Sequence, residues 1–293
     1  MMKKSVIIIL SLSTLLTATE FQYGDGTFSM KGGFVGLTDT IDTDINSYTL
    51  TDRHSNIGNF FYGYDFTWYD SDTLRQNQDS YNGISSDLNN LFQNGSSLPT
   101  LEHRFKGLDA NLRVGYDILH KNQDNFLGLG LLLGISIPTI DSASSDSDSD
   151  SSDVMGLIED SETEISTYKI GATINFQKAF TKQLSIYGIG SYAYQTGNIK
   201  NDYADSDYSV DGTFQEYNLG LYFSPFTEKY QWGWLTLSPR IYATLGYKYV
   251  KWDVDDVAIN LTGQEMSSEV LDPFATKFTM DTSIGYFGLG YSF

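Results

Sequence analysis

The chain has 293 residues, 37 of them acidic and 18 basic, no cysteine, and a formal net charge of −19. Without cysteine it has neither disulfides nor thiolate metal ligands, and its acidic excess argues against nucleic acid as a partner. Its 27 glycines, 21 tyrosines and 18 phenylalanines accompany only 5 prolines. That composition suits soluble β proteins and membrane barrels alike.

The first residues predict a secretory signal peptide. Lys3 and Lys4 precede a short apolar core at 6–16, and small side chains for cleavage follow near Ala18. The core is too short for a membrane-spanning helix. We therefore take 1–19 as a signal peptide and 20–293 as one domain, with an uncleaved anchor as the alternative. Loss of the two lysines leaves 16 basic and 37 acidic residues, a formal charge of −21.

Period-two alternation predicts strands along the rest of the chain. The clearest is 59–69, where one face is wholly aromatic: Phe60, Tyr62, Tyr64, Phe66 and Trp68. That face would be core in a soluble sandwich and would face lipid in a membrane barrel. Ten segments are interpreted as strands: 27–38, 45–51, 59–69, 105–118, 126–137, 166–177, 184–196, 213–224, 234–250 and 277–293.

The connection 70–100 is too long for a simple turn. Inside it, Ile84, Leu88, Leu91 and Phe92 recur at helical spacing, which predicts a short amphipathic helix in a long outer loop. An unstructured loop is the alternative.

A second long connection, 138–164, holds nine acidic residues and no Lys or Arg. Such runs are usually solvated. The spacing of Asp146, Asp148 and Asp150 resembles half of a calcium loop but lacks the glycine and the closing glutamate of an EF-hand,. It therefore predicts no more than weak binding of divalent cations. Two further acidic outer loops are predicted at 197–211 and 251–276.

The final strand carries the most specific pattern. Phe287, Leu289, Tyr291 and Phe293 share one face, while glycines crowd the other. A terminal Phe with aromatic or apolar residues at alternate positions before it resembles the assembly signal of Gram-negative outer-membrane β-barrel proteins. The resemblance implies a location in the outer membrane, contact with its lipid and lipopolysaccharide, and recognition of this strand by the assembly machinery.

Such barrels close with an even number of antiparallel strands, and both chain ends lie in the periplasm. Under that topology the long connections are extracellular and the short turns are periplasmic. The even count requires a strand at 45–51, which gives ten strands, with eight and twelve as alternatives.

The alternation also predicts which charges point into the lumen. They are Asp65, Asp109, Arg113, Lys169, Glu216, Arg240 and Lys248. A barrel of this size is largely filled by its own side chains, and buried charges must pair. We therefore expect a plug of ion pairs, with a narrow polar conduit as the alternative.

Among ten-stranded outer-membrane barrels, the omptins are proteases with carboxylates and a His at the extracellular rim, and eight-stranded lipid-A deacylases use a Ser and a His. Of the three histidines here, only His103, beside Glu102 and Arg104, is predicted at that rim, near Asp70 and Asp72. No motif beyond residue type supports catalysis, and no cofactor-binding motif occurs.

The sequence thus predicts a barrel with a plugged lumen and a role in surface interaction. Its acidic loops would bind divalent cations that bridge lipopolysaccharide, or another ligand. A small porin-like channel and a rim hydrolase are the alternatives.

Overall fold

The computed structural model describes residues 18–34, 37–76, 101–119, 125–144, 160–201, 206–226, 228–232, 235–237, 240–261, 264–266 and 278–292. In the described part of the chain, no helix is long and apolar enough to cross a membrane.

Fourteen strands occur in these residues. They are β1 (Ala18–Phe34), β2 (Leu37–Ile57), β3 (Phe60–Ser71), β4 (Leu74–Gln76), β5 (Leu101–Asp117), β6 (Asn125–Ser144), β7 (Asp160–Ala179), β8 (Leu184–Asn201), β9 (Ser206–Phe223), β10 (Tyr230–Trp232), β11 (Leu235–Leu237), β12 (Ile241–Leu261), β13 (Gln264–Met266) and β14 (Phe278–Ser292).

Ten of these strands form one closed antiparallel barrel. The ring runs β1, β2, β3, β5, β6, β7, β8, β9, β12 and β14, and β14 pairs back onto β1 from Ala18↔Ser292 to Gly32↔Phe278. Closure pairs the backbone groups that an open edge would leave bare. The predicted count of ten is confirmed.

The connections do not separate strictly by length as predicted: at the extracellular end the strands are joined across 35–36 and 202–205 as well as 145–159, and at the periplasmic end across 58–59 but also across 224–240. At the periplasmic end, β2 and β3 are joined by Gly58 and Asn59 alone. Gly58 has a φ of 66°, a conformation that suits tight hairpin turns and that favours glycine.

The two faces of each strand meet different surroundings. On β5, Leu112, Val114 and Tyr116 are exposed, whereas Asn111 and Arg113 are buried. The outward apolar face of β5, together with Ile118 directly after it, runs over 108–118, about 33 Å along a strand at roughly 3.3 Å per residue. A strand tilt of about 40° reduces this to about 25 Å, the height of the apolar band of outer-membrane barrels.

Several strand boundaries differ from the prediction. The segment at 45–51 is part of the longer strand β2, which continues through 52–56, a polar run whose composition predicts a turn. At the extracellular end, β8, β9 and β12 continue into segments predicted to be loops. Apolar residues alternate there too, so the ladder extends above the apolar band. At the periplasmic end, the predicted strand at 234–250 is divided into the hairpin strand β11 and the start of β12.

Other predictions fall outside the described residues. They include most of the signal peptide, the helix around Ile84–Phe92, the aspartates of 146–150, and Phe293. The described residues begin at Ala18, which already pairs in β1, so the placement of a cleavage site stays a prediction.

Candidate functional site: the barrel interior

Six charged side chains meet inside the barrel. They form what we call the interior charge network: Asp65 on β3, Asp109 and Arg113 on β5, Lys169 on β7, Glu216 on β9 and Lys248 on β12. Each is almost fully buried because it lies at an inward position of its strand. The network has three charges of each sign.

Arg113 is the centre of the network. Its Nη1 donates to Asp65 Oδ1 and its Nη2 donates to Glu216 Oε2. Lys248 Nζ lies 3.4 Å from Glu216 Oε1 and 3.8 Å from Asp65 Oδ2. Each of the two carboxylates therefore faces two cations.

A second ion pair lies beside Arg113. Lys169 Nζ donates to Asp109 Oδ1, which also accepts from the Ser136 hydroxyl. The Asn111 amide nitrogen lies 2.9 Å from both Asp109 Oδ2 and Asp65 Oδ2. Asn111 thus joins the two ion pairs into one hydrogen-bonded unit.

These contacts cross the bore. Arg113 and Glu216 belong to β5 and β9, which are four strands apart in the ten-strand ring. The Trp252 indole N–H on β12 donates to Ser136 on β6 over 3.0 Å, again four strands away. Because buried charges are stable only when they are paired, these bridges link opposite walls of the barrel at the middle of the bore.

An apolar layer lies on the extracellular side of the network. Phe28 and Phe105 stack with ring centroids 3.9 Å apart, and Tyr69 and Phe214 pack against Trp252. All five side chains are at most 4% exposed. This layer separates the charges from the extracellular mouth.

A third layer lies on the periplasmic side, and the sequence did not predict it. The guanidinium of Arg53 lies over the rings of Tyr187, Tyr222 and Tyr242, which we call the tyrosine cage. Arg53 also forms an ion pair with the buried Glu20, at 3.4 Å. The alternation in 184–196 does not determine which face is inward, and the polar run 52–56 is predicted to be a turn, so the sequence points to neither Tyr187 nor Arg53.

The structure corrects one predicted lumen residue. Arg240 has the inward parity of β12, but it lies in the turn before Ile241 and is exposed. Its carbonyl oxygen accepts from the Ser292 N–H at 2.9 Å. Alternation along a strand shows which face a residue lies on, but not how far along the barrel axis it lies. Arg240 lies beyond the end of the bore.

The rim residues considered for catalysis are arranged as follows. Asp70 accepts two hydrogen bonds from Arg104, at 2.9 and 2.7 Å. His103 lies in β5 opposite Leu74 of β4, and its side chain lies outside the described part. Among the described residues no group of three or more His, Cys, Asp or Glu could hold a metal ion. The rim-hydrolase hypothesis stays a prediction.

The final strand has the predicted faces. Phe287, Leu289 and Tyr291 point outward and are exposed, whereas Ile284 and Tyr286 are buried inside. Recognition of this strand by assembly machinery stays a prediction.

A closed antiparallel barrel with an apolar outer band and a charged, paired interior is the architecture of proteins that span the outer membrane of Gram-negative bacteria. The chain is therefore an outer-membrane β-barrel protein, and each of its ten long strands crosses that membrane.

No family model and no curated protein matches the sequence. Among solved structures, the outer membrane protease OmpT from Escherichia coli is 11% identical, with a TM-score of 0.49 over 94% of this chain and 97% of that chain. Ail, the attachment invasion locus protein of Yersinia pestis, is 10% identical, with a TM-score of 0.33 over 94% and 98%. The P. putida toluene transporter TodX is 9% identical, with a TM-score of 0.32 over 97% and 92%.

The geometry predicts unequal costs for two arginine substitutions. Arg113→Met leaves Asp65 and Glu216 buried with less compensation, so the free energy of unfolding should fall by about 3–5 kcal/mol. The control Arg104→Met breaks an exposed ion pair with Asp70 and should cost about 0–1 kcal/mol. Urea titration of the barrels in lipid vesicles measures both. Equal, small losses would show that the network does not hold the bore.

Proposed function

We propose that this protein is a closed barrel that works at the cell surface and does not pass solutes. The observation that supports this most directly is the bridge from β5 to β9 through Arg113 and Glu216. Open aqueous channels are found in barrels of roughly sixteen strands, whereas narrow barrels are filled by side chains. In this proposal the protein is not an enzyme.

The extracellular end supports a role in surface interaction. Above the apolar band, acidic side chains point outward from most strands of the ring: Asp42, Asp44, Asp70, Asp141, Asp211, Asp253 and Asp281. Three cations on the same surface are ion-paired: Arg104 with Asp70, Lys106 with Asp141 and Lys251 with Asp253. The remaining acids leave this surface negative.

A negative surface and anionic lipopolysaccharide repel each other unless cations lie between them. We therefore propose that divalent cations link the acidic end of the barrel to lipopolysaccharide. Carboxylate oxygens are the ligands that Ca²⁺ and Mg²⁺ prefer. The acidic loops of the sequence would add to the same surface.

A closed lumen predicts that the protein conducts no ions across a bilayer. The refolded mature protein, with folding shown by its heat-dependent shift in gel mobility, should give no steady conductance in a planar bilayer at either of two salt concentrations. The physical reason is that an ion would have to displace buried, paired side chains.

Steady conductance that depends on salt would contradict the proposal and favour the porin-like channel. In that case Arg113→Met should alter the current and the ion selectivity, since Arg113 lies in the bore. Arg104→Met, on the outer surface, should leave both unchanged.

The cation bridge predicts an effect of chelation that depends on the lipid. Adding EDTA should lower the unfolding temperature of the barrel in vesicles that contain lipopolysaccharide, and should leave it unchanged in vesicles of phosphatidylcholine. Restoring Mg²⁺ in excess should reverse the change. Equal sensitivity in the two lipids would show that cations do not link the protein to lipopolysaccharide.

A further inference from the structure

Arg53 lies at a β-bulge and points into the barrel. The register of β2 and β3 shifts between Asp52 and Ser55, so β2 carries one extra residue there. Gly63 on β3 lies under the bulge, where an added Cβ would be 2.5 Å from the Arg53 carbonyl oxygen. That oxygen accepts from the Asn175 amide at 3.3 Å. The backbone around Arg53 is thus positioned by neighbours on β3 and β7.

The side chain of Arg53 then spans the bore. Its Cζ lies 4.1 Å from the ring centroid of Tyr187 on β8, and β2 and β8 are five steps apart in the ring of ten strands. They are therefore opposite each other. Only 9% of the Arg53 side chain is exposed, so it is packed between opposite strands in the periplasmic half of the barrel.

The surroundings of the guanidinium have the chemistry of a cation-binding site. Its Cζ is 5.1 Å from the Tyr222 centroid and 5.3 Å from that of Tyr242. A planar guanidinium stacks well on aromatic faces, where the negative face of the ring attracts it. The guanidinium is thus held by ring faces and by the charge of Glu20.

The anion of this site is held in place. The Glu20 carboxylate pairs with Arg53 Nη2 through Oε2, and its Oε1 accepts from the Thr244 hydroxyl and, at 2.7 Å, from the Gln22 amide. Glu20 is 1% exposed. Carboxylate and rings thus converge on one buried position from β1, β8, β9 and β12.

The cage is distinct from the interior charge network. On β12, Tyr242 belongs to the cage and Lys248 to the network, six residues apart or about 20 Å along the strand. The ion partner of Arg53 is on β1, whereas the network draws its charges from β3, β5, β7, β9 and β12.

We propose that the Arg53 side chain closes the periplasmic mouth of the barrel. We further propose that the tyrosine cage together with Glu20 is a binding site for a guanidinium or alkylammonium group. In the resting protein Arg53 itself fills this site. The inference rests on the proposed closed lumen, and it adds a second closure that acts independently of the first.

The cysteine-free chain permits a direct test. Ser191 points inward on β8, four residues beyond Tyr187, and is 4% exposed. Ser191→Cys places one thiol inside the bore, on the side of the cage that faces away from the periplasm. The full mature barrel carrying it, in lipid nanodiscs, is treated with methyl methanethiosulfonate, and the labelling rate is measured by mass spectrometry.

Labelling of Ser191→Cys should be slow with Arg53 in place. Adding Arg53→Ala should raise the labelling rate roughly tenfold or more. In that variant the periplasmic mouth can open without breaking the cation–π and ionic contacts of Arg53. Methylguanidinium should slow the accelerated reaction again by refilling the cage. The control Arg240→Ala removes a cation from the same end outside the bore and should leave the rate unchanged.

Two results would overturn the inference. If Arg53→Ala leaves labelling slow, the Arg53 side chain does not close the periplasmic mouth. If labelling accelerates but methylguanidinium gives no protection in a variant that keeps its heat-dependent gel shift, the cage is not a cation site and Arg53 only fills space. Fast labelling of Ser191→Cys with Arg53 present, together with conductance of the unaltered protein, would instead contradict the closed lumen.

Discussion

The interior of this barrel depends on the pairing of charges that are removed from water. Arg113 lies between Asp65 and Glu216, with Lys248 close to both carboxylates. A narrow bore has no room for the water that would otherwise solvate these groups, so each charge needs a partner across the bore. The same contacts that satisfy the charges therefore link distant strands across the bore, and the proposed exclusion of solutes follows from them.

The membrane explains the rest of the arrangement. Lipid satisfies no backbone hydrogen bonds, so the sheet must close, and closure sends alternate side chains outward to lipid and inward to the bore. Along β12 the inward residues change from Tyr242 to Lys248 to Trp252, from the periplasmic to the extracellular end. Three layers of different chemistry thus occupy the interior, which is why we propose that the protein acts through its outer surfaces.

Period-two alternation predicted most of the strands and the inward orientation of Asp65, Asp109, Arg113, Lys169, Glu216 and Lys248, because successive residues of a strand point to opposite faces. The barrel itself was predicted from the resemblance of the final strand to an outer-membrane assembly signal, and the count of ten from the rule that such barrels have an even number of strands. The alternation does not show how far along the barrel axis a residue lies, and Arg240 proved to lie beyond the bore. Arg53 keeps the inward alternation of Thr49 and Thr51, but it lies in a polar run that is predicted to be a turn. Contacts between opposite strands, such as Arg53 with Tyr187, depend on closure as a whole.

A double-mutant cycle between Arg113 and Glu216 tests the cross-bore bridge most directly. The free energies of unfolding of Arg113→Met, Glu216→Gln and the double variant would be measured in lipid vesicles at about 0.1 M and about 1 M salt, where the screening length falls from roughly 10 Å to 3 Å. A buried bridge predicts a coupling energy of at least about 1.5 kcal/mol that scarcely changes with salt. Coupling near zero, or coupling that disappears at high salt, would mean that water reaches these side chains and that the bore is open.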